Sequence, residues 1–219
     1  MVNYSMQTII GKIMTNYKHW FFVLALSLYT TYATAVPMAY VAGQHYQATS
    51  SLLPKLNQTK QEVVELFMYT CPHCYHLESE VTDWLPSLKS STTFTRMPAV
   101  FNQKQVPLAT AFYAAQALEL SETLHPLFFE AIHEDGIRLE SEKAILDFVA
   151  AQGIDRASFA KMMTSFTVKT QVKKARRYTA MSGITGVPAF VVNGKYQTSG
   201  PQAGSIAAIF EVVDYLLQH

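Results

Sequence analysis

Cysteine is scarce in this chain, with two residues in 219. That excludes a disulfide-dense scaffold and any four-cysteine metal site. Charge is scarce too, at 15% of residues against about 25% in an average soluble domain. The 17 Lys and Arg nearly cancel the 16 Asp and Glu, which excludes a strongly basic nucleic-acid binder and an acidic disordered tail. No uninterrupted apolar run reaches the roughly 18 residues of an ordinary transmembrane helix. There is no internal repeat and no low-complexity linker. What is abundant is apolar and aromatic side chain, 49% and 12%, enough for the core of one large domain or two small ones.

The N-terminus reads as an address. Lys12 and Lys18 lie in a short basic stretch without an acid, Trp20 to Leu28 is an apolar run, and Ala33-Thr34-Ala35 follows. Basic, apolar, then A-x-A is the order of a secretory signal peptide. Cleavage after Ala35 leaves Val36–His219 as the mature chain; the alternative is an uncleaved signal anchor. The basic stretch starts late, and a start at Met14 instead of Met1 gives a signal of ordinary length. Export implies an oxidising compartment, the periplasm, where a cysteine pair can persist as a disulfide.

Residues 36–60 are polar and irregular. Glu62 to Tyr69 is a β-branched and aromatic run that predicts a buried strand. Tyr75, Leu77, Val81, Trp84, Leu85 and Leu88 then recur at helical spacing, with Thr70 as the expected N-cap and Pro72 in the first turn. A second strand is predicted over Thr92–Val100. Helices follow over Leu108–Leu120, Glu122–Glu134, Ser141–Ala151, Ser158–Phe166 and Val168–Met181, with Gly153 and Gly183 as stops. Val187–Val192 and Lys195–Thr198 are strands joined by Asn193-Gly194, a strong two-residue hairpin signal. Ser205–Leu217 is a final amphipathic helix with Ile206, Ile209, Phe210, Val213 and Leu217 inward.

The chemistry lies in Cys71-Pro72-His73-Cys74. Thiol–disulfide exchange proceeds by attack of a thiolate on sulfur, so the attacking cysteine needs positive potential around it. A helix N-terminus supplies that through unpaired N–H groups and the macrodipole. Cys71 is placed there, Cys74 lies a turn deeper, and His73 between them adds a donor or a positive charge. A zinc site needs two further ligands, and His76, His125 and His133 offer no pair with finger-like spacing. A c-type haem needs histidine after the second cysteine, where Tyr75 stands. A purely structural disulfide closing so short a loop restrains the unfolded chain little. Redox exchange is the reading that uses the spacing.

The segment Glu65-Leu-Phe-Met-Tyr-Thr-Cys71-Pro-His-Cys74-Tyr75, the helical block, Gly186-Val187-Pro188-Ala189-Phe190-Val191-Val192-Asn193-Gly194-Lys195-Tyr196, and Tyr40-x-x-Gly43-x-His45-Tyr46 resemble the DsbA family of periplasmic thiol:disulfide oxidases over essentially all of residues 36–219. The resemblance implies an α/β thioredoxin-like fold, a central mixed sheet flanked by helices, with an inserted all-helical domain. Its parts would be residues 36–104 and 183–219 for the thioredoxin-like domain and 105–182 for the insertion, after a signal peptide over 1–35. It implies catalytic roles for Cys71, Cys74, His73 and Pro72, with Cys71–Cys74 as the redox disulfide. It also implies a cis Val187–Pro188 bond facing the cysteines and pairing with extended substrate; by itself, a proline opening a strand fits a trans bond equally. No metal or organic cofactor is implied. The implied partners are exported proteins with free thiols and a quinone-linked inner-membrane reoxidant of the DsbB type.

Glu65 falls where the family carries a buried acid, a proton relay for Cys74; an edge position facing solvent is the alternative. Arg96 stands where the family often has lysine, and an arginine can pair with the acid but cannot donate its proton. Lys173, Lys174, Arg176 and Arg177 read as a solvated helix face. His76, His125 and His133 read as surface or helix-end residues, and Met162, Met163 and Phe166 as core. Within the same fold the rival activity is disulfide isomerase or reductase. Outside it the rival is an exported holdase that keeps its activity when both cysteines become serine.

Overall fold

The computed structural model describes residues 40–219; the expected signal peptide and the choice between Met1 and Met14 lie outside them. Five strands form one mixed sheet: β1 (Gln47–Ala48), β2 (Gln61–Phe67), β3 (Thr92–Pro98), β4 (Ala189–Val192) and β5 (Tyr196–Ser199), in the order β1-β5-β4-β2-β3. β2 and β3 run parallel, and β1, β4 and β5 join by antiparallel pairing. A parallel pair needs a crossover, and here it is helix α1 (Pro72–Trp84). The chain between β3 and β4 holds α2 (Val106–Ala117), α3 (Ser121–His133), α4 (Glu142–Ala151), α5 (Arg156–Met163) and α6 (Phe166–Ser182). A short α7 (Gly200–Ala203) and α8 (Ala208–Gln218) close the chain.

Both faces of the sheet are covered, which is why β2 reads as a near-continuous apolar run rather than an alternation. On one side Val63, Phe190 and Val192 pack with Leu77, Val81 and Trp84 of α1 and with Ile209, Phe210 and Val213 of α8. On the other, Val64, Leu66 and Val191 join the helical segment through Phe112, Phe128, Ile145, Phe159 and Val172. Helix α2 is apolar on nearly every face and is buried accordingly. The hairpin is as expected: Asn193 and Gly194 both have positive φ, +52° and +67°, the conformation that a two-residue turn between twisted strands requires.

Several local expectations are corrected. Thr70 does not cap α1; Cys71 itself is the N-cap residue, and no side chain caps that end. The break between α5 and α6 falls earlier than the hydrophobic pattern suggests, because Ser165 caps α6 by accepting the Val168 N–H at 3.2 Å. Phe166 therefore opens a helix on its outer side and is 84% exposed, not core, whereas Met163 is buried. On α8 the deeply buried leucine is Leu216 rather than Leu217. Strand β1, only two residues from a polar stretch, carries no periodicity that sequence could register. The basic run on α6 is solvated as expected.

Candidate active site

The site grows from the end of β2. The strand stops at Phe67, the chain turns through Met68–Thr70, and the Cys71 N–H bonds the Met68 carbonyl at 3.0 Å. Cys71 has extended backbone angles, φ −93° and ψ 116°, and the helix begins at Pro72. Proline fits there because the first helical N–H has no intrahelical partner in any case. The Cys71 carbonyl accepts the N–H groups of Cys74 and Tyr75, each at 3.1 Å. Cys71 is half-buried and Cys74 fully buried, both as free thiols, while Pro72 and His73 are exposed.

This geometry separates the two thiols. A hydrogen bond from the Cys74 thiol, N–H groups of Cys74 and His73, and the charge of His73 pull the Cys71 thiol down to about 6, against the opposing effect of burial. The same Cys74–Cys71 bond, with burial, holds the Cys74 proton far above the ordinary thiol range. The charge of His73, expected to add to the effect of the helix start, is the smallest of the causes acting on Cys71, below the His73 backbone N–H.

The Val187–Pro188 bond is cis, and the Cys71 thiol donates to the Val187 carbonyl at 3.4 Å. Sheet topology brings them together from 116 residues apart: β4 pairs with β2, so the residues just before Ala189 lie beside the turn that carries Cys71.

Glu65 is fully buried, which disposes of the solvent-facing alternative. Its pKa is pushed up to about 8, first by burial and then by the negative charge of Glu78, with Arg96 pulling the other way. The parallel register sets Glu65 directly against Arg96, and Arg96 Nε lies 3.4 Å from Glu65 Oε2. That is a charge contact without hydrogen-bond alignment, since both atoms lack an aligned partner. The better Arg96 bond, 2.9 Å, goes to Glu78 Oε2.

Sequence reasoning missed Glu78, His125 and Tyr69. Glu78 was within reach, being four residues after Cys74 and so on the same face of α1. His125 is not a surface residue: its ring packs edge-on against Phe67 and Phe129, its Nδ1 meets the Tyr69 hydroxyl at 2.8 Å, and its Nε2 lies 3.3 Å from Glu78 Oε1. His133 bonds the Tyr69 carbonyl at 2.8 Å and stacks on Tyr75. Only His76 of the three is exposed. Among the described residues, no three His, Cys, Asp or Glu converge as metal ligands.

Comparison with known proteins agrees with this arrangement. The DSBA-like thioredoxin domain model matches residues 87–205, a span that starts after Cys74 and contains Val187–Pro188. The thiol:disulfide interchange protein DsbA of Bordetella parapertussis is 39% identical over 194 residues, 88% of this chain and 91% of the relative. That of Azotobacter vinelandii is 36% identical over 176 residues, 80% and 82% of the two chains. The crystal structure of Pseudomonas aeruginosa DsbA superposes with a TM-score of 0.77 at 35% identity, covering 82% of this chain and 93% of that one.

 The Xylella fastidiosa DsbA structure superposes with a TM-score of 0.74 at 31% identity, covering 82% of this chain and 96% of that one. A dithiol at a helix N-terminus, a cis-proline beside it and relatives alike along nearly their whole length lead to one conclusion: this chain belongs to the DsbA family of thiol:disulfide interchange proteins and is a thiol:disulfide oxidoreductase.

Proposed function

We propose that the protein is an exported dithiol oxidase that donates a Cys71–Cys74 disulfide to other exported chains in the periplasm. The observation that carries this direction is the split between the two thiols, with Cys71 lowered to about 6 and Cys74 held protonated. Stabilising the Cys71 thiolate favours the reduced protein, which makes its disulfide the stronger oxidant. A substrate thiolate attacks Cys71 Sγ, the Cys71–Cys74 bond breaks, and Cys74 leaves as a thiolate that takes up a proton. A second substrate thiolate then attacks the mixed disulfide at the substrate's sulfur. The substrate gains a disulfide, Cys71 leaves as the stabilised thiolate, and two electrons have passed to the enzyme.

In this reading Glu65 supplies the Cys74 proton and takes it back on reoxidation. Its raised pKa, about 8, keeps a proton available near neutral pH. Pro72 and His73 shape the helix start and leave Cys71 reachable. The Val187 carbonyl, next to Pro188, pairs with an extended substrate segment by strand addition. Residues 36–104 and 183–219 form the thioredoxin-like part and 105–182 the helical insertion, a division supported by the unbroken run of helices from α2 to α6. Reoxidation falls to a DsbB-type quinone-linked partner.

Non-reducing gels of periplasmic extract test the roles of the thiols. Cys74→Ala, which keeps the attacker and lacks the resolver, should give high-mass adducts that reductant removes; Cys71→Ala should not. Adducts from Cys71→Ala instead would reverse the two roles. Pro188→Thr should prolong the adducts.

A further inference from the structure

We infer that His125 is the second seat of a single proton shared by the acidic cluster beneath Cys74, and that it thereby acts as a positioning residue for the proton exchange of that thiol. The use made of the proton rests on the role proposed above for Glu65; the sharing itself rests on geometry. Tyr69 Oη, His125, Glu78, Arg96 and Glu65 follow one another at 2.8, 3.3, 2.9 and 3.4 Å. They come from the β2–α1 turn, α3, α1, β3 and β2.

Charge explains why such a set holds one extra proton. Arg96 is always cationic. With both carboxylates ionised and His125 neutral, the cluster carries one net negative charge, which burial makes expensive. One added proton restores neutrality, and two groups can hold it. On Glu65 it leaves Arg96 to serve Glu78. On His125 it gives Glu78 a second cation and frees Arg96 for an ionised Glu65. Five polar atoms of the cluster lie buried without an aligned hydrogen-bond partner: both Glu65 oxygens, Glu78 Oε1, Arg96 Nε and His125 Nε2.

Access differs between the two seats. A cleft of about 600 Å³ is lined by Glu78, Arg96 and His125, but not by Glu65 or Cys74. The other ionisable groups along it are Tyr75 and Asp83 of α1 and Glu122 of α3; the lining residues of α2, Phe112 and Gln116, carry no charge. His125 lies at the wall of the cleft and meets its solvent through Glu78, 3.3 Å from Nε2 and the more exposed of the two, while Glu65 acts on Cys74 through charge. Arg96 cannot hand a proton along, so the two seats are coupled through charge rather than by a hop. On reoxidation Cys74 attacks the Cys71 mixed disulfide: its S–H bond breaks, the Cys71–Cys74 bond forms, the partner leaves as a thiolate, and the proton goes to Glu65. His125 releases its own proton to the cleft at the same time, and the buried charge stays constant.

Carboxyl and imidazole NMR titrations of the reduced full-length mature protein test this. In the unsubstituted protein, Glu65 and His125 should each show the same two shared steps. His125→Gln should reduce Glu65 to one step at higher pH, and Glu78→Gln should move Glu65 to lower pH. Cys74-dependent release of glutathione from Cys71 near neutral pH should slow in His125→Gln by up to roughly tenfold, the equivalent of one pKa unit. A single, independent His125 step in the unsubstituted protein overturns the inference whether or not the variants fold; so does a Glu65 curve unchanged by His125→Gln. Failure of the Cys74→Ala gel test beside intact shared titration would count against the proposed thiol roles and leave proton sharing standing.

Discussion

Two identical side chains three positions apart are driven toward opposite protonation states, and the causes can be separated by substitution. The largest influence lowering Cys71 is the hydrogen bond from Cys74, with the His73 charge the smallest. Cys74→Ala should therefore raise the Cys71 midpoint more than His73→Ser does, as read from thiolate absorbance against pH. An equal or larger shift in His73→Ser would give the histidine the leading role instead. The same shift has a consequence for stability. In the reduced protein the native state binds fewer protons at Cys71 than the unfolded chain between about 6 and the ordinary value of 9.0, so this group's stabilisation is complete above the upper value and is lost as pH falls through the lower one. Glu65 has the opposite sign. Its native pKa is about 8 against 4.5, so stability from this group falls as pH rises between those values. Denaturant midpoints of the oxidised protein, which has no Cys71 thiol, should decline over that window, and Glu65→Gln should flatten the decline. A slope unchanged by Glu65→Gln would remove Glu65 as its source.

At the scale of elements, the β4–β5 hairpin holds the cis-proline strand in register with β2. Asn193 accepts the Glu62 N–H through Oδ1 at 3.0 Å, and its own N–H bonds the Glu62 carbonyl at 2.9 Å. Gly194 has φ +67°, and a Cβ there would stand 2.7 Å from the Leu53 carbonyl oxygen, a backbone atom. Left-handed backbone alone costs a non-glycine residue about 1–2 kcal/mol, and the close approach adds to it. Gly194→Ala should lower unfolding free energy by at least that amount in urea; a change within about 0.5 kcal/mol, the range of neutral surface substitutions, would mean the hairpin adjusts freely. The hairpin was legible because Asn-Gly between two apolar runs has few other solutions. The start of α6 was less so: Val168 advertises the apolar face, but the Ser165 hydroxyl decides where the helix begins.

For the molecule as a whole, a dithiol whose reduced form is favoured by its own fold must be less stable when oxidised. Denaturant melts of the two redox forms should place the reduced midpoint higher. The reduction potential should lie nearer the DsbA value of about −120 mV than the thioredoxin value of about −270 mV. A more stable oxidised form, or a potential near the thioredoxin value, would point to a reductase.

The sequence by itself determined the reactive pair and most of the elements around it. Cys71-Pro72-His73-Cys74 after an apolar run specifies a dithiol at a helix start through local rules of strand, proline and helix terminus, and Asn193-Gly194 specifies a hairpin in the same local way. The tertiary structure decided what is non-local. Pairing of β4 with β2 sets Val187 beside Cys71. The parallel register of β2 and β3 sets Arg96 against Glu65, and burial rather than residue type raises that acid. His125 carries no signal in its own segment; it becomes part of the cluster because α3 packs it against Phe67 and brings it to Glu78, 47 residues earlier in the chain by sequence number. Charge–charge distance and solvent exclusion are properties of the packed state, and they are what turn two cysteines into an asymmetric pair.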